Sequence, residues 1–275
     1  MGKFYFSRKQ LCIPYAVFLI LFIVIPMLLI LVYAFTAETK VGDEVVWSFS
    51  FSNFIQFFGS ASKWQTLGVS ATISFITTFF CLLIAYPVAY ILACSGWKKT
   101  YVLLMLFIMP MWLNFVLRIT ALRELLNIFG WLGNYDYINT VIGMVYDFLP
   151  FMILPLYTSL QKMDKSLLEA AADLGAGPVS SFLRVTLPLS MPGILSGITM
   201  VFMPSMTNYV VSETLGNSNI TILGKMIEEY FTTFDDWHMG SLISIVLLVV
   251  IFVTMWLSGG FKEDADESAR GANLW

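Results

Sequence analysis

The chain has 275 residues, 58% hydrophobic and 12% charged, with a net charge of −3. Soluble domains carry about 25% charged residues, so water is excluded as the main solvent and a lipid bilayer takes its place. The near-neutral charge gives no footprint for nucleic acid, and Cys12, Cys81, Cys94 and the single histidine His238 have no ligand spacing, so no metal site or disulfide framework is expected.

A membrane-crossing helix needs about 20 mainly apolar residues. Stretches 13–35, 67–94, 101–118, 138–160, 190–211 and 239–261 qualify. The expected fold class is all-α: a polytopic membrane protein with six transmembrane helices. The expected organisation is an N-terminal segment 1–12, a membrane region 13–261 and a tail 262–275, the tail charged, then small and polar. The first stretch follows Lys3, Arg8 and Lys9, as a signal peptide would. Its apolar run to Phe35 exceeds the about 7–15 residues of a signal core and no small-x-small cleavage site follows, so it reads as a retained span. The second is long enough to tilt or project beyond the bilayer. Prolines 26, 87, 110, 150, 155 and 204 lie inside the stretches, as bundled membrane helices tolerate.

Trp112, Asn114 and Arg118 mark the end of the third stretch. Arg118 can snorkel to headgroups, pair with an acid of the outer segments or meet a docking protein, and Asn114 can bond between helices or line a substrate path. The uncharged segment Leu125–Tyr135 is too short to cross and reads as surface-lying or re-entrant. In the fourth stretch Asp147 stands near the midpoint, with Pro150 and Pro155 following. A lone carboxylate there costs about 2.5–3.5 kcal/mol on insertion scales. It is expected to contact a cationic substrate, to pair with a basic residue of another subunit, or to be protonated and hydrogen-bonded.

The loop 161–189 is the most informative stretch. Ser166 and Glu169 have capping-box spacing, and Leu167, Leu168, Ala171 and Leu174 fall on one helical face. Gly175 stands where a helix ends in a left-handed residue, and Pro178 suits the first turn of a second helix. Ala170, Ala171 and Ala172 keep the first helix thin enough to enter another protein's groove; a connector lying on the membrane is the alternative. In the fifth stretch Asn208, Tyr209 and Glu213 come together, and a continuing helix places the Tyr209 ring and Glu213 carboxylate on one face. That pair is a seat for an ammonium group, or an interfacial tyrosine beside a solvated acid.

Lysine and arginine set orientation. With the N-terminus inside, ten fall on inner segments (Lys3, Arg8, Lys9, Lys98, Lys99, Lys162, Lys165, Arg184, Lys262, Arg270) and five outside (Lys40, Lys63, Arg118, Arg123, Lys225). Both termini are therefore expected in the cytoplasm. The outer segments also hold Glu38, Asp43, Glu44, Glu124, Asp136, Glu213, Glu228, Glu229, Asp235 and Asp236, so the outer face favours cations. No phosphate loop is present, because Met226 follows Gly224-Lys225 and position 219 is asparagine. The chain is expected to bind no cofactor, with ATP used elsewhere. An intramembrane enzyme built on His238, Asp235 and Asp236 lacks a nucleophile, and a passive channel lacks a filter or ring.

The order Glu169-Ala170-Ala171, Gly175, Val185, Leu187-Pro188 resembles the EAA motif of ABC importer permeases, with valine at 185 where isoleucine is usual. Asp173 falls inside the same run. The runs Pro110–Arg118 and Leu149–Tyr157 and the triplet Asp235-Asp236-Trp237 extend the likeness to spermidine/putrescine permease subunits of the first type. The resemblance implies a type I importer fold in the bacterial cell membrane, working by alternating access. Its loop 166–175 would be the coupling helix that enters a cleft on an ATPase. It also implies a second permease subunit, two ATPase subunits, a polyamine-binding protein outside the cell, and no enzymatic activity in this chain.

Overall fold

The computed structural model describes residues 13–41, 44–94, 99–164, 166–217 and 219–257. The N-terminal segment 1–12 with Cys12, the tail 262–275, and Lys98 and Lys165 lie outside the described residues.

The elements in chain order are helix α1 (Ile13–Ala34), strands β1 (Thr36–Val41) and β2 (Glu44–Phe49), and helices α2 (Ser52–Phe58) and α3 (Ala61–Cys94). Then come α4 (Thr100–Ile108) with a 3-10 turn (Met109–Trp112), α5 (Phe115–Ile128), α6 (Asp136–Gln161), α7 (Ser166–Asp173) and α8 (Pro178–Leu189). The last are α9 (Met191–Thr207), α10 (Tyr209–Leu215), α11 (Leu223–Thr232) and α12 (Trp237–Leu257). Among the described residues α1, α3, α6 and α12 are each long and apolar enough to cross a membrane. The bent pairs α4–α5 (96°) and α8–α9 (62°) bring the number to six if each is one span. The all-α polytopic architecture therefore holds. One antiparallel hairpin, β1–β2 in the register Thr36↔Phe49 to Val41↔Glu44, was not anticipated.

The third stretch departs most from expectation. Pro110 lacks an N–H and cannot continue the helix, so the chain turns at Met109–Trp112 and restarts at Phe115 under an Asn114 cap. The α5 helix thereby takes in part of the segment expected to be surface-lying or re-entrant. Two other prolines act differently. Pro26 and Pro188 each follow a π-helical turn, Ile20–Val24 and Phe182–Thr186. The wider turn closes with Ile25 N–H on Ile20 O and Leu187 N–H on Phe182 O, and so absorbs the bond the proline cannot make.

Contacts divide the chain into two units. Residues 1–64 with 226–250 form one, and residues 65–225 with 251–275 the other. In the first unit, α1 is apolar on every face and buries none of its membrane-length window against this chain. The hairpin and α2 gather an aromatic cluster: Phe35 stacks on Phe49 at 6.0 Å, and Tyr33 packs on Trp47 at 5.1 Å. The second unit is built around α6, which buries Met144, Met152, Ile153 and Leu156 completely. Helix α9 lies on α6 through Gly193 and Gly197, a small-xxx-small face that lets backbones approach closely. A Cβ on Gly193 would stand 2.8 Å from Pro155 O, and one on Gly197 would stand 2.5 Å from Met152 Sδ.

Candidate functional site

Four constellations carry the residues singled out by sequence. The first is the loop between α6 and α9. Helix α7 starts at Ser166, and its cap is Asp164, whose Oδ1 accepts the Ser166 N–H at 3.0 Å. The expected Ser166–Glu169 capping box is therefore replaced by a cap two residues earlier. This bond holds the exposed Asp164 carboxyl below its usual pKa. The C-terminal end forms as the sequence indicated. Gly175 has φ +80°, Gly175 N–H donates to Ala172 O at 2.9 Å, and Ala176 N–H donates to Ala171 O at 3.0 Å. These are the two bonds of a Schellman closure. The closure pushes Leu174 out to 89% exposure, and Leu167, Glu169, Ala170 and Asp173 are also exposed. A cavity of about 360 Å³ opens between Ala171, Leu174 and Gly175 and Ser181, Arg184 and Val185 of α8. Leu187 and Pro188 form the turn that follows.

The second constellation corrects the expectation of a lone charge at Asp147. The bend at Met109–Trp112 brings α5 against α6, and Arg118 Nη2 meets Asp147 Oδ1 at 2.5 Å. Both side chains are 7% exposed. Asn208, at the break between α9 and α10, donates to Asp147 Oδ2 at 3.4 Å. Asp147 is thus paired within its own chain, an arrangement outside the three readings of its sequence. Arg118 also lies over the Tyr146 ring, 5.9 Å from its centroid, and its Nε and Nη1 find no partner among the described residues. Among the described residues Asn114 makes no interhelical bond. Its Oδ1 accepts Val116 N–H at 2.9 Å and Leu117 N–H at 3.4 Å, capping α5. Trp112 stands 79% exposed at the bend.

The third constellation is the expected ammonium seat, and an ammonium occupies it. The helix breaks at Asn208 and resumes as α10, so Tyr209 and Glu213 do share a turn. Lys225 Nζ lies 3.5 Å from Glu213 Oε1 and 5.5 Å from the Tyr209 ring centroid. Sequence reasoning missed Lys225 because twelve residues separate it from Glu213. Gly224 places it there: the chain passes so close to Thr207 that a Cβ at Gly224 would collide with Thr207 backbone.

The fourth lies in the other unit. A cavity of about 350 Å³ is lined by Tyr33, Trp47, Trp237 and His238 and by Glu38, Asp235 and Asp236, with Ala37 and Asn53. Sequence reasoning named Asp235 to His238 but had no means of bringing the hairpin to them. Among the described residues no group of three or more His, Cys, Asp or Glu side chains is arranged to hold a metal ion.

Several membrane-length helices and two bent pairs, joined by an exposed helix-turn-helix loop, define a polytopic membrane protein. Residues 6–262 match the family model described as binding-protein-dependent transport system inner membrane component, and the chain belongs to that family. It is accordingly a multi-pass inner-membrane protein. It is 35% identical over 248 residues to the spermidine/putrescine transport system permease protein PotB of Escherichia coli K12, covering 85% of this chain and 90% of that one. The PotB of Haemophilus influenzae is also 35% identical, over 255 residues, with coverage of 87% and 88%. A PotB homolog of Mycoplasma pneumoniae is 32% identical over 225 residues, with coverage of 78% and 76%. In fold the chain is similar to a chain in the crystal structure of a bacterial alginate ABC transporter in complex with an alginate pentasaccharide-bound periplasmic protein. The TM-score is 0.67 at 14% identity, with 91% of each chain covered. The inward-facing MetNI methionine transporter gives a TM-score of 0.54 at 16% identity, with 74% of this chain and 97% of that one covered.

Proposed function

We infer that this chain is the permease subunit of an ATP-driven polyamine importer and works by alternating access. The observation that carries the reading is the exposed loop α7–α8. A rigidly closed helix leaves Leu174 and Leu167 unburied and has a cavity behind them, which is the form of a knob made for a groove on another protein. That protein is an ATPase subunit, present twice. This chain itself holds no ATP, and the nucleotide acts on the partners. A second permease completes the translocation path, and a binding protein delivers substrate to the face opposite the loop. Both termini then lie in the cytoplasm, as the distribution of Lys and Arg indicates.

The substrate class rests on the 35% identity to PotB proteins and on the Tyr209–Glu213 seat. That seat already holds a primary ammonium, the group at the ends of spermidine and putrescine. Asp147 and Asn208 lie beside it on the proposed path, with Trp112 and Asn114 at the bend of α4–α5. The test is uptake of radiolabelled spermidine and putrescine into proteoliposomes holding the complete transporter, with competing amino acids and sugars. ATP-dependent polyamine uptake that neutral solutes do not inhibit supports the reading. Transport of another solute with no polyamine uptake refutes the substrate, and an ATPase that binds equally well after deletion of 166–175 refutes the coupling role.

A further inference from the structure

We propose that the cavity beneath the β1–β2 hairpin is a binding site for an organic ammonium ion, separate from the Tyr209–Glu213 seat. Its lining offers three carboxylates, from Glu38, Asp235 and Asp236. Lys63, in the same unit, packs instead on Met239 Sδ at 3.2 Å and over the Phe57 and Tyr230 rings, with Asp236 in electrostatic reach.

The hydrogen-bonding state of the lining selects a donor. Thr36 donates its hydroxyl to Val32 O at 2.8 Å, which leaves Tyr33 O, 2.9 Å from His238 Nδ1, as the acceptor for that ring nitrogen. With the proton fixed on Nδ1, the neutral ring presents Nε2 as an acceptor. This nitrogen is buried, has no hydrogen-bond partner, and stands 3.7 Å from Glu38 Oε1. Two of the donors in the lining are already engaged: Asn53 Nδ2 on Thr36 O at 2.9 Å, and Trp237 Nε1 on Asp235 Oδ1 at 2.9 Å. The three carboxylates and the His238 nitrogen are acceptors that suit a ligand with several N–H groups and positive charge.

The aromatic wall answers the rest of such a ligand. Trp47 and Trp237 are 51% and 49% exposed, although Tyr33 packs against both, at 5.1 and 6.2 Å. Exposed indole faces attract cations and cover a methylene chain. At about 350 Å³ the cavity lies within the about 300–1,000 Å³ range of small-molecule sites. The ligand class is therefore an aliphatic amine bearing primary ammonium groups. Its identity as a polyamine rests on the function proposed above, and the chemistry of the site does not.

The experiment is equilibrium binding of radiolabelled putrescine to the full chain in nanodiscs of neutral lipid. Saturable binding is expected, weakened tenfold or more in the double variant Glu38→Gln, Asp235→Asn and in Trp47→Leu, which leaves the charge unchanged. Glu124→Gln, at an exposed acid paired with Arg123 outside the cavity, should leave this binding unchanged. No saturable binding, or equal affinity in the cavity variants, overturns the proposal. So does binding of a lysine-rich peptide without binding of putrescine, which would assign the cavity to another protein's basic segment. The two readings fail separately. Polyamine uptake with no effect of the cavity variants on binding rejects the site alone, and amine binding in a transporter that takes up no polyamine rejects the substrate alone.

Discussion

Arg118 and Asp147 are joined across the 96° bend between α4 and α5 and the body of α6, each almost wholly buried. A buried pair loses about 3–5 kcal/mol when one partner is removed, because the other charge is stranded. Replacing both with apolar residues of similar volume is often neutral. Asp147→Asn and Arg118→Met should each lower the thermal midpoint of the purified chain, and Arg118→Met with Asp147→Leu should recover most of the loss. Uptake per folded molecule decides the rest. If the double variant is stable yet transports nothing, the pair also serves the substrate path.

If the Tyr209–Glu213 seat receives substrate as proposed, Lys225 competes for it. The pair is partly exposed, with side chains at 23% and 47%, so its contribution is about 0.5–1 kcal/mol. That corresponds to about a two- to fivefold change in affinity. In Lys225→Met the half-saturating polyamine concentration of ATP-driven uptake should fall by that factor. An unchanged or raised value would show that Lys225 does not hold the seat against substrate.

The α7–α8 loop, proposed to couple to an ATPase, separates shape from chemistry. Gly175→Ala places a Cβ at φ +80° and should cost about 1–2 kcal/mol locally, loosening α7 without harming insertion. Glu169→Ala and Leu174→Ser should leave the loop intact and uncouple ATP hydrolysis from uptake. The Asp164 cap adds a pH dependence. Its pKa is lower in the folded state, so its stabilisation is full above the ordinary carboxylate pKa of about 4 and is lost as pH falls through the folded value. Coupling should therefore be insensitive to this group at pH 6–8. Asp164→Ala should weaken coupling at neutral pH, which transport stoichiometry would register.

Packing of α9 on α6 predicts a contrast among glycines. Gly193→Val and Gly197→Val drive side chains into Pro155 O, Ser159 and Met152, an overpacking that costs about 1–3 kcal/mol. Gly68→Val meets nothing within 4 Å of its added Cβ and should leave folding unchanged. Yield and thermal midpoint of the three variants in detergent provide the comparison.

Apolar length alone located the membrane helices, and the Gly175 stop was legible because a left-handed residue after a helical run has few alternatives. The cap was misplaced by two residues because Asp164 and Ser166 are both good capping residues, and only the backbone path chooses between them. The Arg118–Asp147 pair was hidden by the bend: Pro110 marks a break, but its 96° angle, which swings α5 onto α6, is a tertiary outcome. Lys225 and the hairpin cavity were illegible for the same reason. Each joins residues far apart in sequence, and no local periodicity reports such a meeting.

The 62° elbow between α8 and α9 has a mechanical consequence. Leu174 is held on a closed helical knob, α8 follows it directly, and α9 leaves the elbow at Ser190. With 17 residues, α9 is a rod of about 25 Å. It bears on α6 through glycines rather than compressible side chains, so little slack lies between the two backbones. The assembly has the form of a bell crank: a short arm pushed at Leu174 tilts a long arm whose tip is the break at Asn208. If the loop couples to an ATPase as proposed, a push at Leu174 moves that tip farthest, and the tip stands beside Asp147, to which Asn208 donates.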